Sequence, residues 1–86
     1  MTRDKEQSLN AVERIYRNYA GFTESNKILA DFFLNNLEMA TFKSVNELRN
    51  LTGVSDATVI RFAYELGYSS FKEFREHLAD YIRKIS

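Results

Sequence analysis

Side chains that donate and accept hydrogen bonds are concentrated in one short stretch of the chain, "GVSDATVIRF". Ser55 and Thr58 contribute hydroxyl groups, Asp56 a carboxylate and Arg61 a guanidinium group. Hydroxyl groups both donate and accept, and a guanidinium group can contact two acceptors at once, so this set suits reversible recognition of a polar partner. The stretch contains no pairing of a nucleophile with a general base, and its chemistry is therefore that of binding.

Catalytic and metal-binding alternatives have little support elsewhere in the sequence. His77 is the single histidine and cysteine is absent, which excludes a disulfide framework and a thiolate metal site. Acidic residues are scattered singly, and no glycine-rich phosphate loop is present. We therefore expect no enzyme activity, no cofactor and no metal, with His77 either solvated or packed.

The composition indicates one small folded domain, residues 1–86. A hydrophobic content of 44%, with seven Phe and five Tyr, is too high for a disordered tail. No apolar run approaches the roughly 20 residues of a membrane span, and the opening "MTRDKEQSLN" lacks the apolar centre of a signal peptide. Together with the absence of cysteine, these features favour a cytoplasmic location. The formal net charge of zero counts mildly against a nucleic-acid partner.

The spacing of the apolar residues predicts the elements that position this stretch. Proline is absent and apolar residues recur at helical spacing almost throughout, which predicts an all-α fold. We expect a five-helix bundle that contains a homeodomain-like helix-turn-helix, with an additional short helical turn near Leu37–Ala40. The predicted helices are Ser8–Tyr19, one capped by Thr23, Val45–Leu51 opened by the capping box Ser44/Glu47, Asp56–Leu66, and Phe71–Ile85 opened by the capping box Ser70/Glu73.

The segments Val45–Leu51 and Asp56–Leu66 form a helix-turn-helix pattern across the turn "LTGVS". Gly53 is expected at positive φ, because no other residue adopts that conformation as cheaply, and Val54 is expected to plug the turn from beneath. Gly67 is placed to end the second helix in the left-handed conformation. The inner side of the second helix is predicted to comprise Val59, Ile60, Phe62, Ala63 and Leu66.

The second helix of such a motif enters the DNA major groove with its first residues against the base edges. The pattern therefore predicts double-stranded DNA as the partner, and it explains the small, polar start of the helix. The candidate contacts of this helix are Ser55, Asp56, Ala57, Thr58 and Arg61. Ser55, Thr58 and Arg61 suit either bases or phosphates, and Ala57 suits a thymine methyl group if it faces outward. The candidate contacts to the DNA backbone, which fix position without reading sequence, are Lys43, Ser44, Tyr68, Ser69, Ser70 and Lys72.

Each of these residues also has a purely structural interpretation. Ser55 is an N-cap whatever the function, and Asp56 complements the helix dipole in the first turn. Thr58 can lie on a solvated helix face, and Arg61 can pair with Glu65 one turn further on. The remaining alternatives are surface solubility for Lys43 and Lys72 and a position half in the core for Tyr68.

The stretch from Ser44 to Phe74 resembles the N-terminal domain of the RpiR family of bacterial transcription regulators. The matching pieces are "GVS", "ATV", "RF", "LGY" and a pair of phenylalanines three positions apart, and the upstream segment "TESNK" is similar to the family's lead-in. The resemblance runs from about Ile15 to Leu78. It implies DNA binding as a homodimer, and it implies a separate C-terminal sugar-isomerase-type domain, outside this sequence, that senses a phosphosugar effector.

Three residues depart from the family pattern. Arg49 stands where a small alanine is usual, so either its stem extends to solvent or the spacing of the two helices differs. Tyr64 and Glu65 stand where basic residues are common, which removes positive charge near the DNA backbone. We expect the loss of charge at Tyr64 and Glu65 to affect affinity more than fold.

An apolar stripe on the last predicted helix indicates a second surface. The stripe keeps roughly a heptad spacing and comprises Phe71, Phe74, Leu78, Tyr81, Ile82 and Ile85. A bundle of this size is too small to cover the whole stripe, so we expect part of it to meet a second copy of the chain. The alternative function, favoured by the zero net charge and by Glu65, is a helical protein-interaction or dimerisation module with helix-turn-helix shape and no DNA binding.

Overall fold

Residues 9–85 are described by a computed structural model of the chain, and they form six α-helices without a β-strand. The helices are α1 (Ala11–Asn18), α2 (Glu24–Asn35), α3 (Leu37–Thr41), α4 (Val45–Thr52), α5 (Asp56–Glu65) and α6 (Phe71–Ile85), with a 3₁₀ turn at Tyr19–Gly21 after α1. The predicted all-α bundle is confirmed. The count differs by one because the expected turn near Leu37 is a five-residue helix.

Polar caps define where the helices begin. The Ser44 hydroxyl accepts from the Glu47 N–H at 3.1 Å and the Glu47 carboxylate accepts from the Ser44 N–H at 2.9 Å, which confirms the predicted capping box of α4. Thr23 caps α2 as predicted. The sequence interpretation missed a second box at α1, where Asn10 is the N-cap and Glu13 is its partner. The predicted start at Ser8 lies outside the described residues.

Three phenylalanine rings join α2, α5 and α6 at the centre of the core. Phe33, Phe62 and Phe74 are fully buried, and their ring centroids lie 5.1–6.0 Å apart in stacked and edge-to-face arrangements. Full burial of such a side chain contributes about 1.5–3 kcal/mol, and each aromatic pair adds about 0.5–1.5 kcal/mol. Because Phe62 belongs to α5, this cluster holds the back of that helix and leaves its opposite face to solvent.

Several large apolar residues are exposed, among them Ile60, which was predicted to lie on the inner side of its helix. The relative solvent exposure is 38% for Ile60 of α5 and 43% for Ile28 of α2, and Tyr16 and Leu51 are exposed as well. The buried side of α5 consists of Val59, Phe62 and Ala63 and is narrower than predicted. Each residue turns the helix by about 100°, which carries Ile60 beyond this side. Ile60 therefore lies at the edge of the exposed face.

The apolar stripe of α6 is only partly covered within the chain. Phe74 and Leu78 are fully buried, whereas Ile85 near the end of the helix is exposed.

Every helix within residues 9–85 is too short or too polar to cross a lipid bilayer.

Candidate nucleic-acid interface

The turn between α4 and α5 sets the angle at which α5 leaves the core. Gly53 has φ of +78° and its N–H donates to the Arg49 carbonyl oxygen at 2.8 Å, so it closes α4 in the left-handed conformation. Val54 is buried beneath the turn. Both features confirm the prediction for this segment, and they place the start of α5 at the surface.

Three side chains at the start of α5 form one hydrogen-bonded chain. The Ser55 hydroxyl oxygen accepts from the Thr58 N–H at 3.3 Å, and the Ser55 hydroxyl donates to Thr58 Oγ1 at 3.0 Å. Arg61 Nη2 donates to the same Thr58 oxygen at 3.4 Å. Ser55 and Arg61 are exposed and Thr58 is half-buried. The structure therefore brings these predicted site residues together on one solvent-facing edge.

The alternative pairing of Arg61 with Glu65 is not what the structure shows. Glu65 Oε2 accepts from Asn26 Nδ2 at 2.6 Å, and Asn26 of α2 is 97% buried, since its relative exposure is 3%. Arg61 instead lies along the face that carries Thr58. Glu65 thus fastens the end of α5 to α2, and the guanidinium group of Arg61 remains at the surface.

The carboxylate of Asp56 is partly neutralised by a residue of the preceding helix. Arg49 Nη1 lies 3.4 Å from Asp56 Oδ2, and Arg49 also donates to Asn46 Oδ1. Both partners of the ion pair are about half exposed, so its contribution to stability is at most about 1 kcal/mol. The departure at Arg49 is thereby explained, because its side chain extends to solvent and spans the two helices.

The start of α4 carries the first predicted backbone contacts. Ser44 is exposed, Lys43 is half-buried, and Lys43 Nζ lies 3.9 Å from Glu47 Oε2. The hydrogen bond from the Ser44 N–H is the main reason that the pKa of Glu47 lies below its usual value. Arg75 Nη1 of α6 donates to the Lys43 carbonyl oxygen at 2.9 Å, which fixes this helix start against α6.

The start of α6 differs from the predicted capping box. The Ser70 hydroxyl accepts from the Glu73 N–H at 3.0 Å, as expected, but the Glu73 carboxylate accepts from the Ser69 N–H at 2.7 Å instead of from Ser70. The bond from Ser69 is the main reason that the pKa of Glu73 is lowered. Lys72 is exposed beside this cap. The residues are those predicted, with the carboxylate reaching one position further back.

Tyr68 requires a correction, because the structure places the whole side chain in the core. It is 5% exposed, and its hydroxyl oxygen is buried without a hydrogen-bond partner among the described residues. The Arg14 guanidinium carbon lies 4.6 Å from its ring centroid, and the rings of Phe74 and His77 pack against it. Burial raises the pKa of Tyr68. A phosphate contact from this hydroxyl is incompatible with that position.

Arg14 is a positioning residue that the sequence interpretation missed. Its Nη1 donates to the carbonyl oxygen of Leu66, the C-cap residue of α5, at 2.9 Å. A cation at the carboxyl end of a helix is stabilised by the helix dipole, and it satisfies a carbonyl group that the helix leaves unpaired. The two residues lie 52 positions apart, so no local pattern announces the contact.

Metal chemistry finds no ready site in this part of the molecule. Among residues 9–85, no group of three or more His, Asp or Glu side chains is arranged to hold a metal ion. His77 packs on Tyr68, with ring centroids 4.9 Å apart.

A glycine-turned pair of short helices, with the second helix anchored at its back and exposed at its start, defines a helix-turn-helix domain of the DNA-binding regulatory class. Comparison with known proteins identifies the family: residues 9–84 match the rpiR family of helix-turn-helix domains, and the chain belongs to that family. The resemblance drawn from "GVS", "ATV" and "LGY" is confirmed.

Two relatives illustrate the similarity. The chain is 36% identical over 72 residues to the uncharacterized HTH-type transcriptional regulator YfhH of Escherichia coli (strain K12). The aligned residues make up 84% of this chain and 26% of that protein. The chain is 32% identical over 77 residues to an uncharacterized HTH-type transcriptional regulator of Thermotoga maritima. That alignment includes 88% of this chain and 28% of the relative. The chain thus spans about a quarter of the length of these curated relatives. No solved structure matches it.

Proposed function

We propose that this domain reads double-stranded DNA by placing the start of α5 in the major groove, as the DNA-binding part of a longer transcription regulator. The observation that carries the proposal is the hydrogen-bonded chain Ser55–Thr58–Arg61, which lies exposed at the leading end of a helix whose back is held by Phe62. A rigid helix with exposed donors and acceptors at its first turns is what base readout requires.

The proposed groove contacts are those of the first two turns of α5. Arg61 offers two donors to a guanine edge, and the hydroxyl groups of Ser55 and Thr58 suit either bases or phosphates. Ala57 is exposed and small enough to permit close approach. Asp56, half neutralised by Arg49, is suited to accept from a cytosine amino group.

The proposed phosphate contacts lie at two other helix starts. Both α4 and α6 present a serine cap with a lysine beside it, and the free N–H groups of a helix start favour an anion. We retain Lys43, Ser44, Ser69, Ser70 and Lys72 in this set and omit Tyr68 because its hydroxyl is buried. The carboxylates of Glu47 and Glu73 accept from the Ser44 and Ser69 N–H groups at these caps, so a phosphate would bind the N–H groups that the carboxylates leave free.

The assembly and the effector belong to the proposal as well. We propose a cytoplasmic homodimer, because a two-fold pair of helix-turn-helix units matches paired half-sites one helical turn apart. The relatives are about four times as long as the matched segment, which leaves room for a further domain. For that domain we propose a sugar-isomerase-type fold that senses a phosphosugar. Enzyme activity of residues 1–86 remains unexpected.

One titration tests DNA binding directly. The chain, alone and joined to a dimeric coiled coil, is mixed with pooled random-sequence duplexes, and the mobility shift is measured at about 50 and 200 mM salt. Binding through several phosphates should weaken by orders of magnitude between these conditions, because each neutralised phosphate releases counterions. A matched dimer carrying Lys43→Ala, Lys72→Ala and Arg61→Ala should show a shallower salt dependence.

A second candidate function is favoured by one observation. Phe42, between α3 and α4, is 75% exposed, and exposed aromatic residues are common at protein interfaces. If the dimeric protein produces no DNA mobility shift at the lower salt concentration, the result would favour a protein-interaction module over a DNA-binding domain.

A further inference from the structure

The exposed face of α5 is divided lengthwise into two chemically different strips. At about 100° per residue, Thr58 and Arg61 fall on one side of that face, and Ala57, Ile60 and Tyr64 fall on the other. The first strip is polar and carries the hydrogen bond from Arg61 to Thr58. The second strip is apolar, and Ile60 stands at its middle with 38% of its surface exposed.

Ile60 is not needed to complete the core from this position. Its neighbours Val59, Phe62 and Ala63 are each fully buried and fill the inner side of the helix. A single exposed aliphatic side chain is ordinary on a protein surface. Ile60 differs from other exposed aliphatic residues, because it follows Ala57 by about one turn on the exposed face of the helix proposed to enter the groove.

One base presents an apolar group to a side chain in that position. In the major groove, thymine alone among the four bases carries a methyl group, at C5. Tyr64 lies about 6 Å further along the helix than Ile60, away from the leading end that approaches the bases. Ala57 lies nearer that end, but its side chain is a single methyl group, so Ile60 offers the larger apolar surface of the strip for a methyl contact.

We propose that Ile60 is a specificity-determining residue that packs against a thymine methyl group in the major groove. This inference rests on the proposed function and deepens it, since it assigns part of the sequence preference to an apolar contact. The site then contains a preferred thymine, and Ala57, about one turn earlier on the same strip, widens the apolar surface.

The test removes the methyl group without altering any hydrogen bond. Duplexes that bind the coiled-coil-joined chain are selected from a random library, and each thymine of the selected site is replaced singly by uracil. At one thymine or more, the wild-type affinity should fall about fourfold, the value of one buried methyl group. The Ile60→Ala variant should bind the thymine and uracil duplexes equally well at that position.

Two further variants control for folding and for surface hydrophobicity. Ile28→Ala removes the same side chain at similar exposure, 43%, on α2 outside the helix-turn-helix, and should retain the wild-type response to uracil. Ile60→Val keeps a branched side chain and should show an intermediate response even if Ile60→Ala unfolds.

The outcomes separate the inference from the function beneath it. If a preferred site is selected and uracil substitution changes the affinity of wild type and of the Ile60 variants equally, the role of Ile60 is overturned and DNA binding stands. Failure to select any site, together with salt-independent retention, overturns the proposed function and the inference together.

Discussion

Arg14 of α1 donates through Nη1 to the carbonyl oxygen of Leu66 at 2.9 Å, and the same guanidinium group lies over the ring of Tyr68 with its central carbon 4.6 Å from the ring centroid. One side chain from the first helix thus closes the carboxyl end of the proposed recognition helix. A further bond from Arg14 Nε to the Leu9 carbonyl oxygen at 3.4 Å holds the guanidinium group in place.

We expect Arg14→Met to lower the free energy of unfolding by about 2 kcal/mol. The change removes a hydrogen bond from a charged donor, typically about 1.5–3 kcal/mol, and leaves the Leu66 carbonyl unpaired. Urea denaturation followed by circular dichroism measures the loss. Arg83→Met is the control, because Arg83 pairs with Asp80 at an exposed site and its removal should cost under about 1 kcal/mol. Equal losses in the two variants would contradict the structural role of Arg14.

Gly67→Ala should destabilise the fold more than Gly53→Ala. Both glycines are left-handed, with φ of +92° and +78°, so each alanine costs about 1–2 kcal/mol of backbone strain. At Gly67 the new Cβ also lies 2.9 Å from Arg14 Nη1, so the flexible guanidinium group must shift from the position in which it donates to the Leu66 carbonyl oxygen. Nothing lies within 4 Å at Gly53. Thermal unfolding of both variants, alone and combined with Arg14→Met, should show that the extra loss at Gly67 disappears without Arg14. An extra loss that persists would assign it to another neighbour.

Stability should fall in acid, in part through Glu73. The pKa of Glu73 is lowered in the folded state from its ordinary 4.5, chiefly by the hydrogen bond from the Ser69 N–H. A lowered carboxyl pKa stabilises the fold above the unfolded value, and this contribution disappears as the pH falls through the folded value. Glu73→Gln should therefore be less stable than wild type at pH 7, and the two should converge as the pH falls below 4.5 and through the folded-state pKa. Urea unfolding across this range checks the convergence, and a constant gap would speak against the linkage.

Arg61→Ala should weaken DNA binding by about 1–3 kcal/mol if the guanidinium group pairs with a guanine. The loss should then be concentrated on duplexes that carry that guanine. Fluorescence anisotropy with the selected site and with random duplexes measures both losses, and Arg83→Ala is the charge-matched control on the far end of α6. A uniform loss across all duplexes would assign Arg61 to a phosphate instead.

Thr58→Val should relax the sequence preference while leaving the fold nearly unchanged. Valine keeps the branched shape but removes the hydroxyl group that accepts from Ser55 and Arg61. Without that acceptor, the Arg61 side chain loses its orientation on the helix surface. Binding to a panel of single-base variants of the selected site reports the preference, with Thr58→Ser as the control that retains the hydroxyl. An unaltered preference profile for Thr58→Val removes Thr58 from the readout.

Much of the helix-turn-helix was predictable because its determinants are local. Ser44 and Glu47 lie three positions apart, and they cap α4 as the pattern predicts. Gly53 and Gly67 both occupy the left-handed region, because a turn that closes a helix strains any other residue. Such features depend on residues within one helical turn, so they can be identified before the fold is known.

Other assignments were wrong because apolar character does not determine the side from which neighbours pack. Ile60 was placed inside with Val59 and Phe62, but α2 and α6 approach α5 through the Phe33–Phe62–Phe74 cluster and leave Ile60 at the edge. For Tyr68 the sequence left a core position and a phosphate contact open, and the rings around it and the guanidinium group of Arg14 place it in the core.

The amino-acid sequence alone determined the helical class of this protein, the start and turn of its motif, and its family, because periodicity, caps and glycine conformation are set by neighbours in the chain. Only the tertiary structure decided which side chains the motif presents. Arg14 meets Leu66 across 52 positions and Asn26 meets Glu65 across 39. Contacts of that range exist only after the helices pack, and they fix how α5 is held and which of its residues remain exposed.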